Sequence, residues 1–87
     1  MNISIFDQGD GCTYTLNISE DDALSVYNMK NFGKASINLP SIGGNASISG
    51  NDVTIMYKNG ASLLGSIYVP LDRLQKIIDE ALKANQE

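Results

Sequence analysis

The residues whose types could do chemistry gather near the start of the chain. Asp7-Gln8-Gly9-Asp10-Gly11-Cys12 sets two carboxylates and a thiol around two glycines. Calcium loops use such carboxylates, but they need a D-x-D-x-D-G spacing and a distal bidentate Glu, both missing here. As an acid–base pair, Asp7 and Asp10 read as exposed turn carboxylates with no pocket to displace a pKa. Cys12 falls on the inward parity of the strand that follows, so it reads as a small core residue and not as a nucleophile. The chain has no histidine, which excludes Ser-His-Asp and Cys-His catalysis as well as Cys/His zinc sites. Gly9-x-Gly11 and Gly43-Gly44 do not continue as a G-x-x-x-x-G-K-[ST] phosphate loop. No enzymatic role, cofactor or metal is expected.

A second group is the acidic run Glu20-Asp21-Asp22 behind Ser19. Ser19 can accept a bond from a free N–H of a first helical turn, with Asp22 at the capping-box position. Three carboxylates there face the positive end of the helix dipole, which accounts for them structurally. As a functional feature they would offer phosphate-like negative charge to a basic partner.

The elements that position these groups follow from hydrophobic period. Ile3 and Ile5, then Cys12, Tyr14, Leu16 and Ile18, alternate on either side of a Gly-rich turn and predict a β-hairpin. A short helix is expected over about Glu20–Asn31, with Ala23, Leu24 and Tyr27 at helical spacing and Gly33 as its stop. The period then returns to two. Ala35, Ile37 and Leu39 form a strand ended by Pro40, and Ser41 to Gly44 is a turn. Strands follow at Ala46–Ser49, Asp52–Lys58 and Ala61–Val69, the last two joined by Asn59-Gly60, whose residues suit a type I′ turn. After Pro70, Leu71, Leu74, Ile77, Ile78, Ala81 and Leu82 recur at three- and four-residue spacing as one apolar stripe. Residues 1–87 thus read as a single α+β domain in the order ββα-ββββ-α, with a hairpin, a four-stranded antiparallel meander, one short helix and one amphipathic C-terminal helix.

Alternation also defines the strand face turned away from the helices. It carries Thr13, Thr15, Asn17, Ser36, Asn38, Ser47, Ser49, Thr54 and Ser66, with Met56, Leu64 and Tyr68 among them. Two readings stand: a solvated face on which Ser and Thr are ordinary fillers, or a binding surface whose low charge and Met/Leu/Tyr centre resemble an interface core.

Composition bounds the partners. Net charge is −4, and the six basic residues are scattered, so neither direct nucleic-acid binding nor attachment to an acidic membrane surface is expected. No basic N-terminal region precedes an apolar run, and no stretch approaches the ~18–20 apolar residues of a membrane span. The expected compartment is the cytoplasm, with Cys12 reduced and the Asn17 and Asn45 sequons coincidental. At 87 residues with one cysteine, the domain has neither a large core nor a disulfide to support it, which favours self-association.

These constraints lead to a small acidic non-catalytic module that binds a protein partner stoichiometrically. Its contacts would be Met56, Leu64 and Tyr68, or the acidic end at Glu20, Asp21 and Asp22. Bacterial and phage inhibitors, anti-CRISPR and other anti-defence proteins included, are of this kind and size, an argument by analogy alone. The alternative is a structural homo-oligomer without enzymatic role.

Overall fold

The computed structural model describes residues 1–58 and 64–85. The Asn59-Gly60 turn, the expected start of the last strand and Leu63 lie outside the described residues, as does the side chain of Leu64. The order is ββα-ββββ-α, as the periodicity predicts: β1 Asn2–Phe6, β2 Thr13–Asn17, α1 Glu20–Asn28, β3 Ser36–Leu39, β4 Gly44–Ser49, β5 Asp52–Lys58, β6 Leu64–Pro70 and α2 Leu71–Asn85. A 3-10 turn, Pro40–Ile42, stands between β3 and β4.

The strands form two antiparallel sheets: the β1–β2 hairpin and the meander β3-β4-β5-β6. In the hairpin, Ile3 stands opposite Leu16 and Ile5 opposite Tyr14, so one face is apolar. Thr13, Thr15 and Asn17 therefore lie on the hairpin's own outward face, not on one surface shared with the meander. Among the described residues, the hairpin touches a meander edge by a backbone bond only at its turn, where the Gln8 N–H donates to the Tyr68 carbonyl at 3.1 Å.

In the meander, period-two alternation sends Leu39, Ala46, Val53, Ile55, Ile67 and Val69 into the core. Against them pack Ile3, Ile5, Leu16 and Ile18 of the hairpin segment, Ala23, Val26 and Met29 around α1, and Leu71, Leu74 and Ile78 of α2, in one cluster. The α2 helix touches α1, β1 and β6, so its apolar stripe locks both sheets to the other helix. Gly43 and Gly44 permit the β3–β4 reversal: Gly43 has φ +66°, and a Cβ at Gly44 would stand 2.9 Å from Tyr57 Cα and closer still to the Met56 carbonyl.

Helix α1 departs from expectation in two details. It ends at Asn28 and not Asn31; the chain then turns back through Gly33 at φ +69°, with the Lys34 N–H bonded to the Met29 carbonyl at 2.9 Å. Its buried side is Ala23 and Val26, while Leu24 is exposed.

Two expectations about the first turn are corrected. Cys12 is exposed, because β2 begins only at Thr13 and strand parity does not extend back into the turn. Asp7 is buried, at 6% exposure. Its Oδ1 accepts the Gly9 N–H at 2.6 Å, and its own N–H bonds the Cys12 carbonyl at 2.8 Å. The buried carboxylate is thus satisfied by the turn it closes.

Candidate functional site

The chemistry-bearing groups do not converge. Among the described residues, no group of three or more His, Cys, Asp or Glu side chains is placed to hold a metal ion. Asp10 holds its own turn, accepting the Cys12 N–H at 2.8 Å and the Tyr14 hydroxyl. The bond from Tyr14 holds the Asp10 carboxyl below its ordinary pKa, and the same bond raises that of the Tyr14 phenol. A groove of about 480 Å³ between hairpin and meander is lined by Asn17, Ser41, Tyr57 and Lys58 among others. Among the described residues, no carboxylate lines it.

The acidic end divides in two. Glu20 and Asp21 are exposed, but Asp22 is half-buried. Asp22 Oδ2 accepts both the N–H and the hydroxyl of Ser41, at 2.9 and 2.6 Å, while its own N–H donates to Ser19 Oγ at 3.1 Å. The Ser19 N–H in turn donates to Ser41 Oγ at 3.1 Å. Asp22 therefore fastens the start of α1 to the 3-10 turn, and only Glu20 and Asp21 are left to offer charge.

Register builds the outer face of the meander into rows. Ser36, Ser47, Thr54 and Tyr68 stand side by side across the four strands, and Asn38, Asn45, Met56 and Ser66 form the neighbouring row. Both rows are free of charge. Charged side chains of this parity occur only at the ends of β5, as Asp52 and Lys58. Tyr68 is 40% exposed and Met56 half-buried, on adjacent strands. The Asp52 carboxylate, at the same border of the face as the Tyr68 hydroxyl, raises the pKa of that phenol. Leu64 stands opposite Lys58 in β6. The structure thus brings Met56 and Tyr68 together and leaves Glu20 and Asp21 on α1, in the layer that covers the meander's other side.

Two features escaped the sequence reading. Asn45 belongs to the second row; its alternation with Ser47 would have shown this had β4 been started at Gly44. Phe32 is 70% exposed, one helical row on from Leu24 and Asn28: the Phe32 N–H bonds the Asn28 carbonyl, and the Asn28 side chain bonds the Leu24 carbonyl, each at 3.0 Å.

Comparison with protein-family models, curated proteins and solved structures finds no match for this chain. No helix among the described residues is long and apolar enough to cross a membrane.

Proposed function

We propose that this domain is a non-catalytic binding module that covers a protein partner with the outer face of its meander. The observation that carries this reading is the pair of uncharged rows, Ser36-Ser47-Thr54-Tyr68 and Asn38-Asn45-Met56-Ser66. A partner that seals this face desolvates hydroxyls and amides, which exchange hydrogen bonds, and avoids stripping water from ions. Met and Tyr are side chains enriched where interfaces are fully buried, while Lys, Glu and Asp are depleted there. The rows offer no Lys or Arg to neutralise phosphate, which speaks against nucleic acid as the partner.

Glu20 and Asp21 supply a separate negative patch that would steer a basic partner without forming the contact itself. Stoichiometric inhibition, of anti-CRISPR or other anti-defence type, is the form such a module takes when the covered surface is a working one. Small size, acidity and the lack of histidine support that form by analogy. A reducing, cytoplasmic setting fits an exposed single thiol at Cys12.

The test is capture from a bacterial lysate with the tagged domain, beside a Met56→Ala/Tyr68→Ala variant of unchanged circular dichroism. The expected result is one partner at equal stoichiometry, lost with the double variant. A partner held equally by both forms would remove the outer face from the mechanism.

A further inference from the structure

The meander has two edges, and they are treated differently. At β6 the Gln8 N–H bonds the Tyr68 carbonyl. At β3 the backbone points into open space. The Ile48 N–H donates to the directly opposite Ala35 carbonyl at 2.9 Å, which makes Ala35, Ile37 and Leu39 the residues bonded to β4. The N–H and C=O groups of Ser36 and Asn38 therefore face outward, and both residues are exposed. Among the described residues, no hydrogen bond from outside the ladder reaches them. Beside this edge runs a groove of about 450 Å³ lined by Ser25, Phe32, Lys34, Ser36, Ile37 and Asn38. Ile37 is only half-buried in it and Phe32 is 70% exposed.

We infer that the occupant of this edge is a second copy of the chain, joined antiparallel through β3 about a twofold axis at Ile37. Three observations select a second copy. First, that register is self-complementary. Ser36 of each copy meets Asn38 of the other, both as hydrogen-bonded pairs, for about four bonds in all. Shifting the axis to Ser36 or Asn38 brings in Lys34 or Pro40 instead, and neither can donate: the Lys34 N–H is committed to Met29 and proline has none. The same two residues end the ladder, so the joint cannot grow into a longer one.

Second, Ile37 of each copy faces its counterpart at the non-hydrogen-bonded position, where side chains lie closest. The Phe32 groove of each copy is then closed by the other.

Third, charge is complementary in this orientation. Lys34 is the one charged residue of the groove. Antiparallel pairing sets it opposite Pro40 of the other copy, next to Ser41, which is bonded to Asp22 at the acidic start of α1. Each copy thus places its Lys34 at the Glu20–Asp22 end of the other. The two four-stranded sheets become one, and both outer faces remain open on the same side. The dimer does not rest on the outer-face reading.

Sedimentation of the intact chain over about 1–300 µM tests it, since a short-edge joint belongs to the weak end of protein interfaces. The expected result is a monomer–dimer equilibrium, with the Ser36 and Asn38 amides exchanging more slowly as concentration rises. Asn38→Pro removes an outward donor that β4 does not use, so the monomer keeps its fold and thermal midpoint while the dimer is lost. Lys34→Glu weakens association by about tenfold or more, and Glu20→Lys/Asp21→Lys in the same chain restores it. A chain monomeric throughout, a dimer indifferent to Asn38→Pro and Lys34→Glu, or a dimer lost instead with Met56→Ala/Tyr68→Ala would each overturn the β3 joint.

Discussion

The Tyr57 ring lies across Gly65 of the neighbouring strand, so close that a Cβ at residue 65 would stand 2.8 Å from Tyr57 Cε1. Tyr57 and Gly65 are direct cross-strand partners, and the same ring meets Tyr14 of the hairpin at a centroid distance of 6.4 Å. Gly65 is thus the seat of a side chain that joins the two sheets. Gly65→Ala should displace the ring and cost about 1–3 kcal/mol in urea unfolding. In a Tyr57→Ala background the same change should cost much less, because the clash is gone; equal costs in both backgrounds would show that the ring is not what Gly65 accommodates.

The cycle of Ser19, Asp22 and Ser41 makes a second prediction. Ser19→Ala removes the N-cap acceptor of α1 and should cost about 1 kcal/mol. Ser41→Ala removes two bonds to the far side of the same cycle and should cost a similar amount, about 0.5–1.5 kcal/mol. Because the residues share one network, the double variant should lose less than the sum. Additive losses would mean that helix start and 3-10 turn are held independently.

The Asp10–Tyr14 bond makes stability depend on pH at both extremes. The folded Asp10 carboxyl has a lowered pKa, through Tyr14 first and the Cys12 N–H second. Its contribution is therefore present above the ordinary carboxylate value of about 3.9 and is lost as pH falls through the lowered folded value. The Tyr14 phenol is raised by Asp10, so its contribution is full below about pH 10 and is lost as pH rises further. Tyr27, raised by the charge of Asp79, and Tyr68, raised by the neighbouring Asp52 carboxylate, act in the same alkaline direction. Denaturation midpoints across pH should fall at both ends, and Tyr14→Phe should flatten the profile at each. A variant profile parallel to the wild type would assign the pH dependence elsewhere.

The two sides of the meander should respond oppositely to truncation. Leu74 and Ile78 of α2 are buried at 0% and 1% exposure, and either, changed to Ala, should cost about 2–5 kcal/mol. That is enough to unfold much of a small domain. Met56→Ala/Tyr68→Ala removes side chains from the open face and should leave a cooperative transition. Thermal unfolding compares them directly; a larger loss in the double variant would invert the assignment of faces.

What could be read from the residues was whatever is periodic. In β5, Val53 and Ile55 are buried and Thr54 and Met56 face outward, because a strand reports its faces every second residue. The α2 stripe is equally plain. Met56 and Tyr68 came together because antiparallel register between consecutive strands follows from hairpin order. The misreadings of Cys12 and Asp7 both lie in the first turn, where parity has no meaning and local bonds to Gly9 and Cys12 decide burial. The open β3 edge and the exposed Phe32 were illegible for another reason. Which strand ends a sheet, and what the residues after α1 meet, depend on where the hairpin packs, and no local pattern records that.

The position of α2 in the chain has a consequence for how the protein is made. Leu74 and Ile78 fill the space between α1, β1 and β6, yet they leave the ribosome after all six strands. Until then only α1 is there to cover part of the inner faces of hairpin and meander. Synthesis therefore passes through a stage in which strand-rich chain is complete but its oily side is only partly covered, the kind of species chaperones hold and interrupted translation leaves to aggregate.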